Sequence, residues 1–376
     1  MTTRLTRALV AFALTIGVGL AAASAAGADP GDHAGHAVFA LTDQATNSVV
    51  SYSRSSDGSL AYAGTYATGG AGESASGAAA DPLASQGGLA LAEGGHVLLA
   101  VNSGSNTVSA FDVNGSSLRL VQQVPSFGSF PVSISVHGNV AAVLNSGSTG
   151  SVVEYLILGD HLVAIPWSVR SLNLNNTSPP NYLAGAGQVG FSPNGRFLVV
   201  TTKSSTSQYE VFAVRGDGFL SLTPTVTNAA NGVPFAFVFD PAGRVVAAEA
   251  AGSWVTTYSI VPSGALVEIN SVSDTQSALC WISTARGYYY GSNAGSGDVS
   301  SFTVSPSGTA SVLAVSAATA HHGTIDSAAS PDGRFLYVES GGAGTIDAFA
   351  VNPDGSLSFV QTTTGLPVPF EGIAVS

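Results

Sequence analysis

Apolar residues in this chain come in short β-rich runs, separated by turns built on Gly, Pro, Asn and Asp. The pattern is best formed in the stretch SPDGRFLYVESGGAGTIDAFAVNPDGSLSFV, from Ser330 to Val360. Pro fixes φ at the second position of a tight turn, and Gly takes the positive-φ position that other residues avoid. The stretch therefore predicts an antiparallel meander with turns at Ser330–Gly333 and Pro353–Gly355. Alternate side chains of a strand point to opposite faces. Here Ile346, Ala348 and Ala350 fall on one face, and Phe349 and Val351 on the other. Apolar residues on both faces predict a sheet covered on both sides.

The meander recurs. Before it come three predicted strands, Ala37–Leu41, Ser48–Tyr52 and Leu60–Tyr66, then a Gly/Ala/Ser tract from Ala67 to about Gly88 that reads as flexible. Six units follow, beginning near Gly88, Val132, Gln188, Phe235, Ala278 and Asp326, at steps of 44, 56, 47, 43 and 48 residues. A repeat of that size with four short strands is the signature of a propeller blade. The long step holds the Asn/Ser/Pro-rich loop Leu172–Gly187, the one sizeable insertion in the repeat and a place for function or disorder. The leader lacks an inner strand, and Glu371–Ser376 reads as one, so the C-terminal end is expected to complete the first blade. The expected fold is all-β: a seven-bladed β-propeller of four-stranded antiparallel blades without an open edge.

Charge and targeting narrow the setting. Eleven basic residues oppose 23 acidic ones, for a formal net charge of -12, and Lys203 is the single lysine. Such a surface repels phosphate backbones and anionic lipid heads, which argues against nucleic-acid and membrane partners. Arg4 and Arg7 precede an apolar run, Ala8–Ala23, followed by two small-residue cleavage patterns around 23–28. Residues 1–28 thus read as a signal peptide, leaving 29–376 as one exported, monomeric domain. The lone Cys280 allows no intrachain disulfide and sits in an apolar run, as a buried hydrophobe would.

The repeated SPDGRFLYV-like and NPDGSL-like turns resemble those of the β-propeller lactonase family, which includes 6-phosphogluconolactonase-like and 3-carboxymuconate cyclase-like proteins. The resemblance covers essentially all of the chain after the leader. Ser85–Gly88, Gln188–Pro193, Pro234–Phe237 and Cys280-Trp281 look like an exported bacterial branch of it. It implies a small lactone or sugar-acid substrate in the central channel, held by polar residues at the starts of the inner strands. The family's His, Arg and Glu are missing at the matched segments, which read Ala184–Gln188, Pro234–Ala236, Ser277–Leu279, Ile325 and Pro369–Glu371.

The polar groups left near inner-strand starts are Gln86, Gln188, Gln276, His321, His322, Asp326 and Glu371. An enzymatic reading makes His322 or Asp326 the base for an attacking water, with Gln86, Gln188, Gln276, His321 and Glu371 binding substrate. No cofactor and no metal site is expected; Asp29, Asp32, His33 and His36 are ligand types, but in a leader where solvation is the simpler role. The chain has no P-loop, HExxH, GxSxG or zinc-type cysteine pair. Two functions stay open: a lactonase or cyclase-like enzyme, and a non-catalytic propeller that binds a small molecule, glycan or protein.

Overall fold

The computed structural model describes residues 36–376, so the proposed signal peptide and Asp29, Asp32 and His33 lie outside the described residues. Seven antiparallel sheets follow one another, each pairing its strands in order from an inner to an outer one. Blade 2 has inner strand Leu89–Ala92 and outer strand Ser117–Pro125; blade 3 runs from Pro131–His137 to His161–Ala164. Blade 4 runs from Gln188–Phe191 to Thr225–Asn228, and blade 5 from Pro234–Phe239 to Leu266–Ser273. Blade 6 runs from Leu279–Ala285 to Ala310–Thr319, and blade 7 from Thr324–Ala329 to Leu357–Thr364.

Blade 1 combines the two ends of the described chain. Its inner strand is Ile373–Val375, paired to Ala37–Leu41 in the register Val38↔Val375, Phe39↔Ala374 and Ala40↔Ile373. The closure is fastened further by the Ala37 N–H donating to Ser376 Oγ at 3.0 Å and the Ser376 N–H donating to the Ala37 carbonyl at 2.9 Å. Ile373–Val375 also touches the inner strands of blades 7 and 2, which completes the ring.

The two-faced pattern of the meander has a direct packing consequence. In the third strand of blade 7, Ile346 and Ala348 join a core with Val38 and Ala40 of blade 1. Phe349 and Val351 of the same strand join a core with Ala285 and Tyr290 of blade 6. Each blade is thus a layer between two hydrophobic interfaces, and the turns lock neighbours together. The Tyr337 hydroxyl donates to the Gly58 carbonyl at 2.9 Å, and Tyr290 to the Gly355 carbonyl at 3.0 Å. Gly58 and Gly355 both have positive φ in Asp-Gly turns, as the turn motif requires.

Two connections depart from the simple repeat. The 67–88 tract, expected to be flexible, is instead bound into the fold: Leu83, Ala84, Ser85 and Gln86 are buried. The 172–187 loop is ordered against it, with a parallel bridge between Ser76 and Asn181. Among the described residues no helix is long and apolar enough to cross a membrane.

Candidate functional site

An inner strand has a free edge, whose N–H and C=O groups need partners if water is excluded. In this propeller the segment Leu83–Gly87 crosses the channel and supplies them. Gln86 reads the edge of blade 6 with both ends of its amide, donating to the Ile282 carbonyl at 3.0 Å and accepting from the Ile282 N–H at 3.1 Å. Toward blade 3, the Ile134 N–H donates to the Gly87 carbonyl at 2.8 Å and Ser85 Oγ to the Val132 carbonyl at 2.8 Å. The Trp281 indole N–H reaches the Ser85 carbonyl at 2.6 Å. The segment is a plug.

Carboxylates hold the plug from below. Glu371, fully buried, accepts the N–H groups of Leu83, Ala84 and Ser85 at 2.7, 2.9 and 3.1 Å. Its own N–H donates to Asp43, and the next N–H, of Gly372, donates to Glu339 at 2.8 Å. Asp326 accepts the Ser327 N–H at 2.8 Å and, more weakly, the Gly87 N–H at 3.5 Å. Burial pushes all four carboxyls, Asp43, Asp326, Glu339 and Glu371, above the ordinary range, Asp326 to about 7. Repulsion among them adds to the rise at Glu339 and Glu371.

Lys203 is the single cation hydrogen-bonded to the plug among the described residues. It is 1% exposed, and its ammonium donates to the carbonyls of Ala84 and Tyr182, so it bolts the plug to the 172–187 loop. The ammonium also lies 5.0 Å from the centre of the Phe235 ring. Burial pulls it down to about 8, against the attraction of Asp81 and Glu371. Lys203, Ala84, Val233 and Ala278 all have positive φ, a costly conformation for residues with a Cβ.

Above the plug lies a pocket of about 420 Å³. Its floor is Phe235, Cys280, Trp281 and Ile325 at the starts of the inner strands of blades 5, 6 and 7. Gly77–Asp81 and the pair Tyr182 and Leu183 form its walls. The pocket is chiefly apolar; the polar side chains in it are Asp81, Tyr182, His322 and the free thiol of Cys280, which burial pushes up and keeps protonated. The rings of Phe235 and Trp281 pack 4.7 Å apart at 58°.

The residues singled out in the sequence divide sharply. His322 is exposed at the pocket rim and lines it. Asp326, Gln86 and Glu371 are buried beneath it in the plug and its supports. Gln188 Oε1 accepts the Phe237 N–H at 2.7 Å and so joins blade 4 to blade 5. His321 is exposed and pairs through Nδ1 with Asp347 at 2.9 Å. Gln276 is half-buried, and its N–H donates to Asp274 at 3.0 Å. His36 lies beside Arg54, its ring nitrogen 2.7 Å from the guanidinium.

Sequence reasoning alone does not single out Asp81, Tyr182, Phe235 and Lys203 as site residues. Two signals in it point that way: Asp81 is one of only two charged residues in the 67–88 tract, and Lys203 is a single lysine directly after a strand. The tract's path is also marked by Gly341, where a Cβ would overlap the Ala80 carbonyl oxygen and stand 2.7 Å from that of Phe370. Gly341→Ala should therefore cost about 2 kcal/mol through overpacking, measured by denaturant unfolding. An unchanged midpoint would show that 77–81 is not held down there.

The chain matches no family model and no curated protein. Solved structures do resemble it. A candidate 6-phosphogluconolactonase from Bacteroides fragilis superposes with a TM-score of 0.71 at 17% identity, over 93% of this chain and 100% of that one. The periplasmic gluconolactonase of Pseudomonas aeruginosa gives 0.69 at 18% identity, over 91% and 99%. A candidate 6-phosphogluconolactonase from Bacteroides uniformis gives 0.69 at 18%, over 91% and 99%. The chain thus has the seven-bladed propeller fold seen in these lactonase-named structures.

Proposed function

We propose that this protein is an exported propeller that binds a small, largely apolar molecule in the pocket above the plug and does not hydrolyse it. One observation carries this reading: Glu371 and Lys203 are hydrogen-bonded to the plug and its neighbouring loop, and Asp43 and Glu339 to the backbone at Glu371 and Gly372, while the open pocket is lined mainly by apolar groups. Lactone hydrolysis needs a base and a donor or cation for the developing oxyanion. Among the described residues no arginine or lysine lines the pocket. A pocket of this size and composition is typical of small-molecule sites.

A second reading, lactone hydrolysis with His322 as base, is favoured by the fold shared with lactonase-named proteins and by the place of His322 on the pocket wall. Two measurements separate the readings. Small aromatic and alicyclic compounds should raise the melting temperature, and Ala251→Trp, at an exposed wall position, should abolish the shift. Gluconolactone, its 6-phosphate and an aromatic lactone should not be turned over in a pH-stat. Turnover that His322→Ala removes would establish the enzyme and overturn the binding reading.

A further inference from the structure

We infer that the pocket selects a cation with an apolar body, an aromatic or alkyl ammonium; this rests on the binding reading above. The first ground is charge. Among the described residues Asp81 is the one acidic side chain in the lining, half-buried, and no Arg or Lys lines the same space. Lys203 lies outside the lining, its ammonium turned to the carbonyls of Ala84 and Tyr182. Burial raises the Asp81 carboxyl, and the pull of Lys203 and the backbone N–H groups of residues 79–81 opposes that rise. A ligand cation beside Asp81 would oppose it further.

The second ground is the lining itself. Tyr182, Phe235 and Trp281 are the aromatic residues of the lining; Tyr182 is half-buried, and Phe235 and Trp281 are each 1% exposed at the floor. A ring face attracts a cation, more strongly where water is excluded. The protein already uses this: the Lys203 ammonium lies 5.0 Å from the centre of the Phe235 ring, held by two carbonyls in place of water. The third ground is the surroundings. A chain of formal net charge -12 draws cations toward its clefts and disfavours anions such as a sugar phosphate.

The test is a matched set on one ring: 2-phenylethylamine, 2-phenylethanol and phenylacetate, titrated by calorimetry at neutral pH into the full chain. The amine should bind about tenfold tighter than the alcohol, the size expected of one partly desolvated cation–aromatic and carboxylate contact, and phenylacetate weakest. Asp81→Asn should erase most of that preference while the alcohol's affinity holds; Asp81→Glu should restore it. Melting curves of both variants check that the fold survives. If none of the three binds, the binding reading itself falls. If the alcohol or phenylacetate binds as well as the amine, or if Asp81→Asn keeps the preference, the charge assignment falls and the pocket remains.

Discussion

Deleting Gly372–Ser376 lowers the stability of the protein by about 5 kcal/mol or more, enough to remove most of a typical folding free energy. The size follows from what the segment joins. Ile373–Val375 is the inner strand of blade 1, and its loss strips three residue pairs from Ala37–Leu41. Ile373 and Ala374 are 5% and 7% exposed, so two apolar side chains leave the core at about 1–2 kcal/mol each. Arg54 loses the Ser376 carbonyl, the Glu339 carboxyl loses the Gly372 N–H, and the newly bare strand edge is left without partners. The deletion also removes the contact that joins blades 7 and 2 across the first blade. Thermal unfolding followed by circular dichroism measures it. A melting temperature within a few degrees of the full chain would mean that the ring does not depend on this strand.

The sequence carries the repeat clearly because the repeat is local. A turn such as Ser330–Gly333 needs Pro, Asp and Gly at fixed offsets, and the structure bears two of them out: Asp332 accepts the Arg334 N–H at 3.0 Å, and Gly333 has φ of 68°. The closing strand was legible for a related reason, since a ring of six complete blades and one incomplete blade leaves one apolar run to fill one gap. What was not legible is the plug. The 67–88 tract that carries it is rich in Gly, Ala and Ser, as a flexible linker is, and its order comes from bonds to residues far away in sequence. Gln86 bonds to Ile282, Ser85 to Val132 and Trp281, and Leu83 to Glu371. No local pattern encodes such pairs.

The same fact reshapes the candidate site. The sequence places polar residues at the starts of inner strands facing a channel, an expectation that holds only if the channel is empty. With Leu83–Gly87 inside it, Glu371 and Asp326 meet backbone N–H groups, and the accessible space moves up to a pocket made by the two long connections. Tyr182 and Asp81 come from those connections, where sequence separation hides their meeting. Val233 and Ala278, strained at positive φ, stand on the pocket wall just before the inner strands of blades 5 and 6. Strain of this kind persists where surrounding contacts over-determine it, and it concentrates at binding sites.

Stability should fall as pH rises from 5 to 8, opposite to the usual behaviour of a carboxylate-rich protein above its acid limb. The unfolded chain releases the Asp326 proton near pH 3.9, whereas the folded protein holds it to about 7, because the carboxyl is 2% exposed. Between those values the folded state binds more protons than the unfolded state, so each rise in pH favours unfolding. Three pKa units at about 1.4 kcal/mol each give roughly 4 kcal/mol for a single isolated group, fully present below about pH 4 and lost by about pH 7. Asp43, Glu339 and Glu371 are raised in the same direction and share the protons with Asp326, so the titration belongs to the set and extends higher. Lys203 acts the other way only above its depressed value of about 8, where the folded state sheds its proton before the unfolded chain does. Denaturant unfolding at pH 5, 6, 7 and 8 reads the slope. Asp326→Asn, which cannot ionise, should match or trail the parent at pH 5 and exceed it by about 2 kcal/mol at pH 8. A parent whose stability peaks at pH 7 or above, or a variant that loses equally at both ends, would show that these carboxyls are ionised in the folded protein and that something other than shared protons holds them together under the plug.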